Sequence, residues 1–202
     1  MFQALGNIRK AGYSRLSRAN ALMEMQSFRE ALSVYRMAAR DLRGDPWYFD
    51  CKLGEAVCLW RTQSSENALE LLLTFEDLAE DPGRRAKYHH NVGVIYRQLG
   101  KMEEAIGHLA RALDASAPDP PMRPNNMAEM CLCRALVGDF MGAVEMLDEF
   151  NTFMGAKDPQ DVLAMAILSY VLGRGPLPGL LPRHVTDGYE QRLIAAVSLL
   201  QP

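Results

Sequence analysis

The chain has 202 residues, with 22 Lys and Arg against 25 Asp and Glu and a formal net charge of −3. It can therefore bury a core without disulfides or metals, and it is not a nucleic-acid clamp over its whole surface. Apolar residues at 49% with 23% charged exclude a wholly disordered chain.

From the amino end, Met1 to Lys10 carries Arg9 and Lys10 behind its few apolar residues. A secretory leader has instead a basic start, an apolar stretch and a small-residue cleavage site, so cytoplasmic residence is predicted. Apolar runs such as Leu71 to Leu73 and Val162 to Leu168, which takes in Ala164 to Leu168, fall far short of the roughly 20 residues that cross a bilayer. Cysteines at 51, 58, 131 and 133 in so long and apolar a chain predict reduced thiols rather than a disulfide framework.

A period runs through the chain. Asp-Pro recurs at Asp45-Pro46, Asp81-Pro82, Asp119-Pro120 and Asp158-Pro159, at spacings of 36, 38 and 39 residues. Proline has no amide to give a helix interior but suits a first turn, so each pair predicts the end of one helix and the start of another. Ala31, Ala68, Ala105 and Ala143 repeat at 37, 37 and 38 residues, each followed four positions later by a bulky residue, at Tyr35, Leu72, Leu109 and Leu147. One helical face is repeating. A second set of small residues, Ala19, Gly54, Gly93 and Cys131, precedes those alanines by 12, 14, 12 and 12 residues, which predicts two helices per unit.

In chain order, the unit at 12–45 turns at Gln26-Ser27, with Ser27 and Glu30 forming an expected capping box. The unit at 47–81 turns over Thr62 to Ser65, that at 86–119 at Gly100-Lys101, and that at 124–155 at Gly138-Asp139, glycine ending a helix with positive φ. A fifth helix is expected over 158–172, a Gly/Pro-rich linker over 173–186, and an amphipathic helix over 187–202 with Tyr189, Leu193, Val197 and Leu200 in one stripe. No stretch alternates in the manner of a strand.

Paired antiparallel helices at this period are the arithmetic of a helical solenoid. The chain resembles the tetratricopeptide repeat: Gly93, Tyr96, Gly100, Ala105, Leu109 and Ala112 stand at that family's spacing. The resemblance implies an all-α, right-handed helical-hairpin solenoid over residues 1–172, with the last helix as its cap or as an arm that docks elsewhere. Small residues let paired helices approach to about 8–10 Å.

No zinc-protease, phosphate-loop or nucleophile-elbow pattern occurs, and Gly173-x-Gly175 lacks the context of a dinucleotide loop. The expectation is of no catalytic residue, metal or cofactor. The resemblance implies instead a concave groove lined by first helices, here Leu16, Asn20, Met23, Tyr48, Cys51, Glu55, Lys87, His90, Val94, Arg97, Asn125, Ala128 and Leu132. Apolar positions with scattered polar heads suit a peptide or protein partner. His89 is expected to pack and His90 to face the groove.

Charge is divided. Residues 1–43 carry net +5, residues 45–161 net −9, and Arg29, Arg36, Arg40 and Arg43 form a stripe on the second helix. That stripe is either a solvated face or a means of steering self-association or an acidic partner. The function expected is a non-catalytic adaptor, able to self-assemble; the alternative is a chaperone of a secreted or membrane-active client, with Met23, Met127 and Met130 as an adaptable apolar surface.

Overall fold

The structure, a computed structural model, describes residues 2–116, 122–153 and 159–174. The linker beyond 174 and the helix expected over 187–202 lie outside those residues. Among the described residues there are α-helices and one 3-10 turn, with no strand. The chain divides into two compact units, residues 1–84 and 85–202.

The first unit holds two helical hairpins: α1 (Phe2–Glu24) with α2 (Phe28–Asp41), and α3 (Tyr48–Thr62) with α4 (Ser65–Leu73), followed by a 3-10 turn at Glu76–Leu78. Helix α1 starts ten residues before Gly12, where the repeat pattern begins. No proline interrupts that stretch, and once a helix is nucleated each further residue adds a backbone hydrogen bond. Helix α2 buries Ala31, Leu32, Val34, Tyr35, Ala38 and Ala39 along one stripe. Tyr35 is 1% exposed, and its hydroxyl donates to Asn20 Oδ1 on α1 at 2.7 Å.

The expected capping box at Ser27 does not form. Ser27 has ψ 55° and makes no side-chain cap bond. A cap residue needs extended backbone to aim its oxygen at the amides of the first turn. The turn is carried by Gln26 at φ 59°. Ser64, at φ −154° and ψ 155°, has the extended geometry and accepts from Asn67 N at 3.1 Å.

The second unit continues with α5 (Pro82–Gln98, its first turn shared with the preceding unit), α6 (Met102–Ala115), α7 (Arg123–Leu136), α8 (Phe140–Thr152) and α9 (Pro159–Val171). Pro82 is the first residue of α5, and Asp81 Oδ1 accepts from Arg84 N at 2.9 Å. Gly100 and Gly138 close the α5–α6 and α7–α8 turns at φ 73° and 79°. Helix α7 packs against α6, α8 and α9. Their shared core contains Met127, Cys131, Leu132, Leu147, Phe150, Met165 and Leu168.

The repeating small residues are where the helices meet. Ala19, Ala31, Ala68, Ala105, Cys131 and Ala143 have no exposed surface. A Cβ on Gly93 would lie 2.8 Å from Leu109 Cγ and 3.2 Å from the Ala105 carbonyl oxygen. Gly54 is different: a Cβ there would overlap the Tyr35 ring, so its bareness admits the second helix of the preceding hairpin. Cys131 is small enough for its thiol to lie 3.2 Å from the Ala143 carbonyl oxygen.

Candidate interaction surfaces

The thirteen residues expected in a groove separate into two sets. Asn20 and Lys87 are exposed, and Met23, Tyr48, His90 and Asn125 are half-buried. Leu16, Cys51, Glu55, Val94, Arg97, Ala128 and Leu132 are buried. On α3 the accessible stripe runs through Tyr48 and Lys52, because Cys51 points into the core. Of the three groove residues expected on α7 only Asn125 retains surface, since that helix packs against α6, α8 and α9. Met127 and Met130 are 1% and 2% exposed, core positions rather than an adaptable surface.

In the first unit, Arg36, Ala39 and Arg40 of α2 and Arg43, which lies in the turn after that helix rather than on the expected stripe, face Tyr48, Lys52 and Glu55 of α3 across a cavity of about 300 Å³. The carboxylate of Glu55 accepts from Arg36 Nε at 2.9 Å and Lys52 Nζ at 2.8 Å. Glu55 is 7% exposed and holds both cations at the mouth. At the other edge of the hairpin, Asp45 Oδ2 accepts from the Tyr13 hydroxyl at 2.8 Å, a bond that raises the tyrosine's pKa.

In the second unit, polar pairs tie α5 to α7. Arg97 Nε donates to Glu129 Oε2 at 2.9 Å, with 6% and 2% of the two side chains exposed. His90 Nδ1 lies 2.7 Å from Asn126 Oδ1. Asn126 Nδ2 donates to Ser116 Oγ at 3.2 Å, so Asn126 Oδ1 is the acceptor and His90 carries its proton on Nδ1. Arg123 reaches the Leu113 and Ser116 carbonyl oxygens and pairs with Glu149. These side chains line a cavity of about 600 Å³ with Met130, Arg134 and Met146.

His89 packs, as its helix position predicts, but its neighbour is His108 of α6, the two Nδ1 atoms 3.1 Å apart. Burial, then the nearby His89 and Arg111 charges, lower the His108 pKa to about 4. The sequence carries a signal for this pair. Positions 89 and 108 fall on the two helices that the Gly100-Lys101 turn pairs, 11 residues before it and 7 after it. Asn126 and Glu129 carried no such signal, because their partners lie on the next hairpin.

All four cysteines are free thiols and buried. Desolvation pushes Cys51, Cys58 and Cys131 up to about 12, far from the thiolate that nucleophilic chemistry or metal binding requires. Among the described residues, no group of three or more His, Cys, Asp or Glu side chains could hold a metal ion. No helix among them is long and apolar enough to cross a membrane.

A tetratricopeptide repeat family model matches residues 89–123, which takes in most of α5 and all of α6. No curated protein sequence matches the chain. Among solved structures, the apo form of RapI is similar over 96% of this chain and 53% of its own, at 17% identity and a TM-score of 0.73. The chain thus spans about half the length of RapI. A Podosopora anserina putative kinesin light chain with nearly identical TPR-like repeats is similar over 96% of each chain, at 16% identity and a TM-score of 0.64. YrrB, a TPR protein with an unusual peptide-binding site, is similar over 98% of this chain and 91% of its own, at 14% identity and a TM-score of 0.55. The fold shared with these structures is an all-α helical-repeat solenoid.

Proposed function

We propose that the chain, a helical-repeat solenoid in which residues 89–123 match a tetratricopeptide repeat model, is a non-catalytic adaptor of the cytoplasm that holds a segment of a partner protein on the faces of its first helices. The observation that carries this reading is the bonding of α5 to α7 through His90–Asn126 and Arg97–Glu129. Those pairs hold Lys87, His90 and Asn125 in one preorganised, partly exposed row, and preorganisation lowers the entropy lost when a peptide is bound. In the first unit Asn20, Met23 and Tyr48 are the corresponding accessible positions. The peptide-binding site of YrrB supports the same reading.

The test is selection from a displayed library of random dodecapeptides on the purified chain. Enriched peptides should bind the wild type and lose affinity when Lys87→Glu and Asn125→Ala are combined, with helical circular dichroism unchanged. A library that yields no enriched peptide overturns the adaptor reading. Self-association, tested by sedimentation over a range of concentrations, is an added property of the same reading. The chaperone alternative draws on exposed methionines, Met25 at 72% and Met141 at 78%.

A further inference from the structure

The cavity between α2 and α3 has a chemistry that the adaptor reading does not use. We infer that it is a docking site for an acidic, extended segment of a partner polypeptide, anchored by Arg40 and Arg43. This deepens the adaptor reading and rests on it.

Four cations, Arg36, Arg40, Arg43 and Lys52, line a space that contains a single carboxylate, Glu55. That carboxylate is already engaged, by Arg36 and Lys52 together. Arg40 and Arg43 are exposed, and no described acidic side chain forms an ion pair with either. The lining is therefore a cationic surface on which two guanidinium groups face no carboxylate, Arg40 Nε donating to the Arg36 carbonyl oxygen at 3.4 Å, in a chain whose net charge is −3. Guanidinium groups accept carboxylates in a two-pronged geometry.

The spacing selects the ligand. Arg40 lies in the last turn of α2 and Arg43 three residues on, in the turn that follows the helix, and both line the same cavity. Alternate residues of an extended peptide stand about 6.6 Å apart on one side, within reach of two long arginine side chains. A peptide with Asp or Glu at i and i+2 thus presents one carboxylate to each guanidinium. Compact dianions fit less well, because the positive charge is spread over α2, the turn after it and α3, with the Glu55 carboxylate in the same lining. Nucleic acid lacks its usual partner, a row of stacking aromatics, since Tyr48 is the one aromatic side chain on this cavity. The volume of about 300 Å³ admits side chains rather than a folded domain.

The test uses the same dodecapeptide library on the full chain, and the tightest fluorescein-labelled peptide is then titrated against variants by fluorescence polarisation. Selected peptides should be enriched in Asp or Glu at alternate positions. Affinity should fall about tenfold or more in Arg40→Glu/Arg43→Glu and should weaken with added salt. Arg18→Glu/Arg29→Glu changes the net charge equally at exposed positions outside the cavity and should leave binding within about twofold. Arg40→Gln/Arg43→Gln serves if the reversed variant does not fold.

Peptides without acidic enrichment, or acidic peptides that bind the Arg40/Arg43 variants as tightly as the wild type, overturn the proposal. So does an equal loss in the Arg18/Arg29 control, which would mark a long-range field. A single-stranded DNA 12-mer that displaces the acidic peptide at lower concentration than unlabelled peptide also overturns it. Peptides lost only through Lys87→Glu/Asn125→Ala leave the adaptor reading standing while this one falls. An empty selection brings down both.

Discussion

His89 of α5 and His108 of α6 face each other with their Nδ1 atoms 3.1 Å apart, and the ring of Tyr96 lies against His108 at 5.4 Å between centroids. Two imidazolium ions cannot share that space, and Arg111 adds a third nearby positive charge. In the folded chain His108 stays neutral down to about pH 4, against 6.5 for a free histidine. The unfolded state therefore binds the proton first, and stability falls as pH drops from 6.5 toward 4. Thermal melts at pH 7 and pH 5 should show the wild type losing a few degrees more than His108→Gln. Equal losses would mean that the pair does not govern the acid limb.

Gly93 and Gly107 are both helical, and their surroundings predict opposite outcomes. A Cβ on Gly93 meets Leu109 and the Ala105 carbonyl, whereas one on Gly107 meets nothing within 4 Å. Gly93→Leu should lose about 1–3 kcal/mol through overpacking. Gly107→Ala should gain about 0.5–1 kcal/mol by restricting the unfolded chain. Urea unfolding of both variants checks the pair, and a Gly93→Leu midpoint equal to wild type would contradict the close approach of α5 and α6.

Arg97 and Glu129 form a desolvated ion pair, and removing one partner takes a buried counter-charge from the other. Arg97→Met or Glu129→Leu alone should lose about 3–5 kcal/mol. The combined Arg97→Met/Glu129→Leu replaces two buried charges with apolar volume and should be more stable than either single variant. A double-mutant cycle by chemical unfolding measures the coupling. Additive losses would show that the two side chains do not act on each other.

The helix caps predict a contrast between two serines. Ser64 accepts from Asn67 N, while Ser27 makes no side-chain cap bond. Ser64→Ala should lose about 1 kcal/mol, and Ser27→Ala should stay within about 0.5 kcal/mol of wild type. Matching losses from urea midpoints would restore the capping box at Ser27.

How far the fold could be read from the sequence follows from what each residue answers to. Ala31, Ala68, Ala105 and Ala143 recur because the same crossing occurs in each hairpin, and a crossing tolerates little volume wherever it falls. Gly100 and Gly138 were legible for a local reason, the positive φ that ends a helix. The interaction faces were less legible. Tyr48 and Lys87 keep surface, yet Cys51 and Leu132, at neighbouring points of the same helical pattern, are fully buried. A helix repeats every 3.6 residues whichever neighbour covers it, so periodicity cannot say which of two adjacent stripes remains open.

By itself the order of residues determined the helices, their pairing into hairpins and the contacts at Gly93, because these depend on spacing along one chain segment and on side-chain size. Tertiary structure alone decided that Glu129 meets Arg97, that Arg36 of the second helix joins Lys52 on the Glu55 carboxylate, and that Arg40 and Arg43 are left facing a cavity. Those are relationships between hairpins, set by the rotation of each helix against its neighbours, and the charges settle only after the packing has placed them.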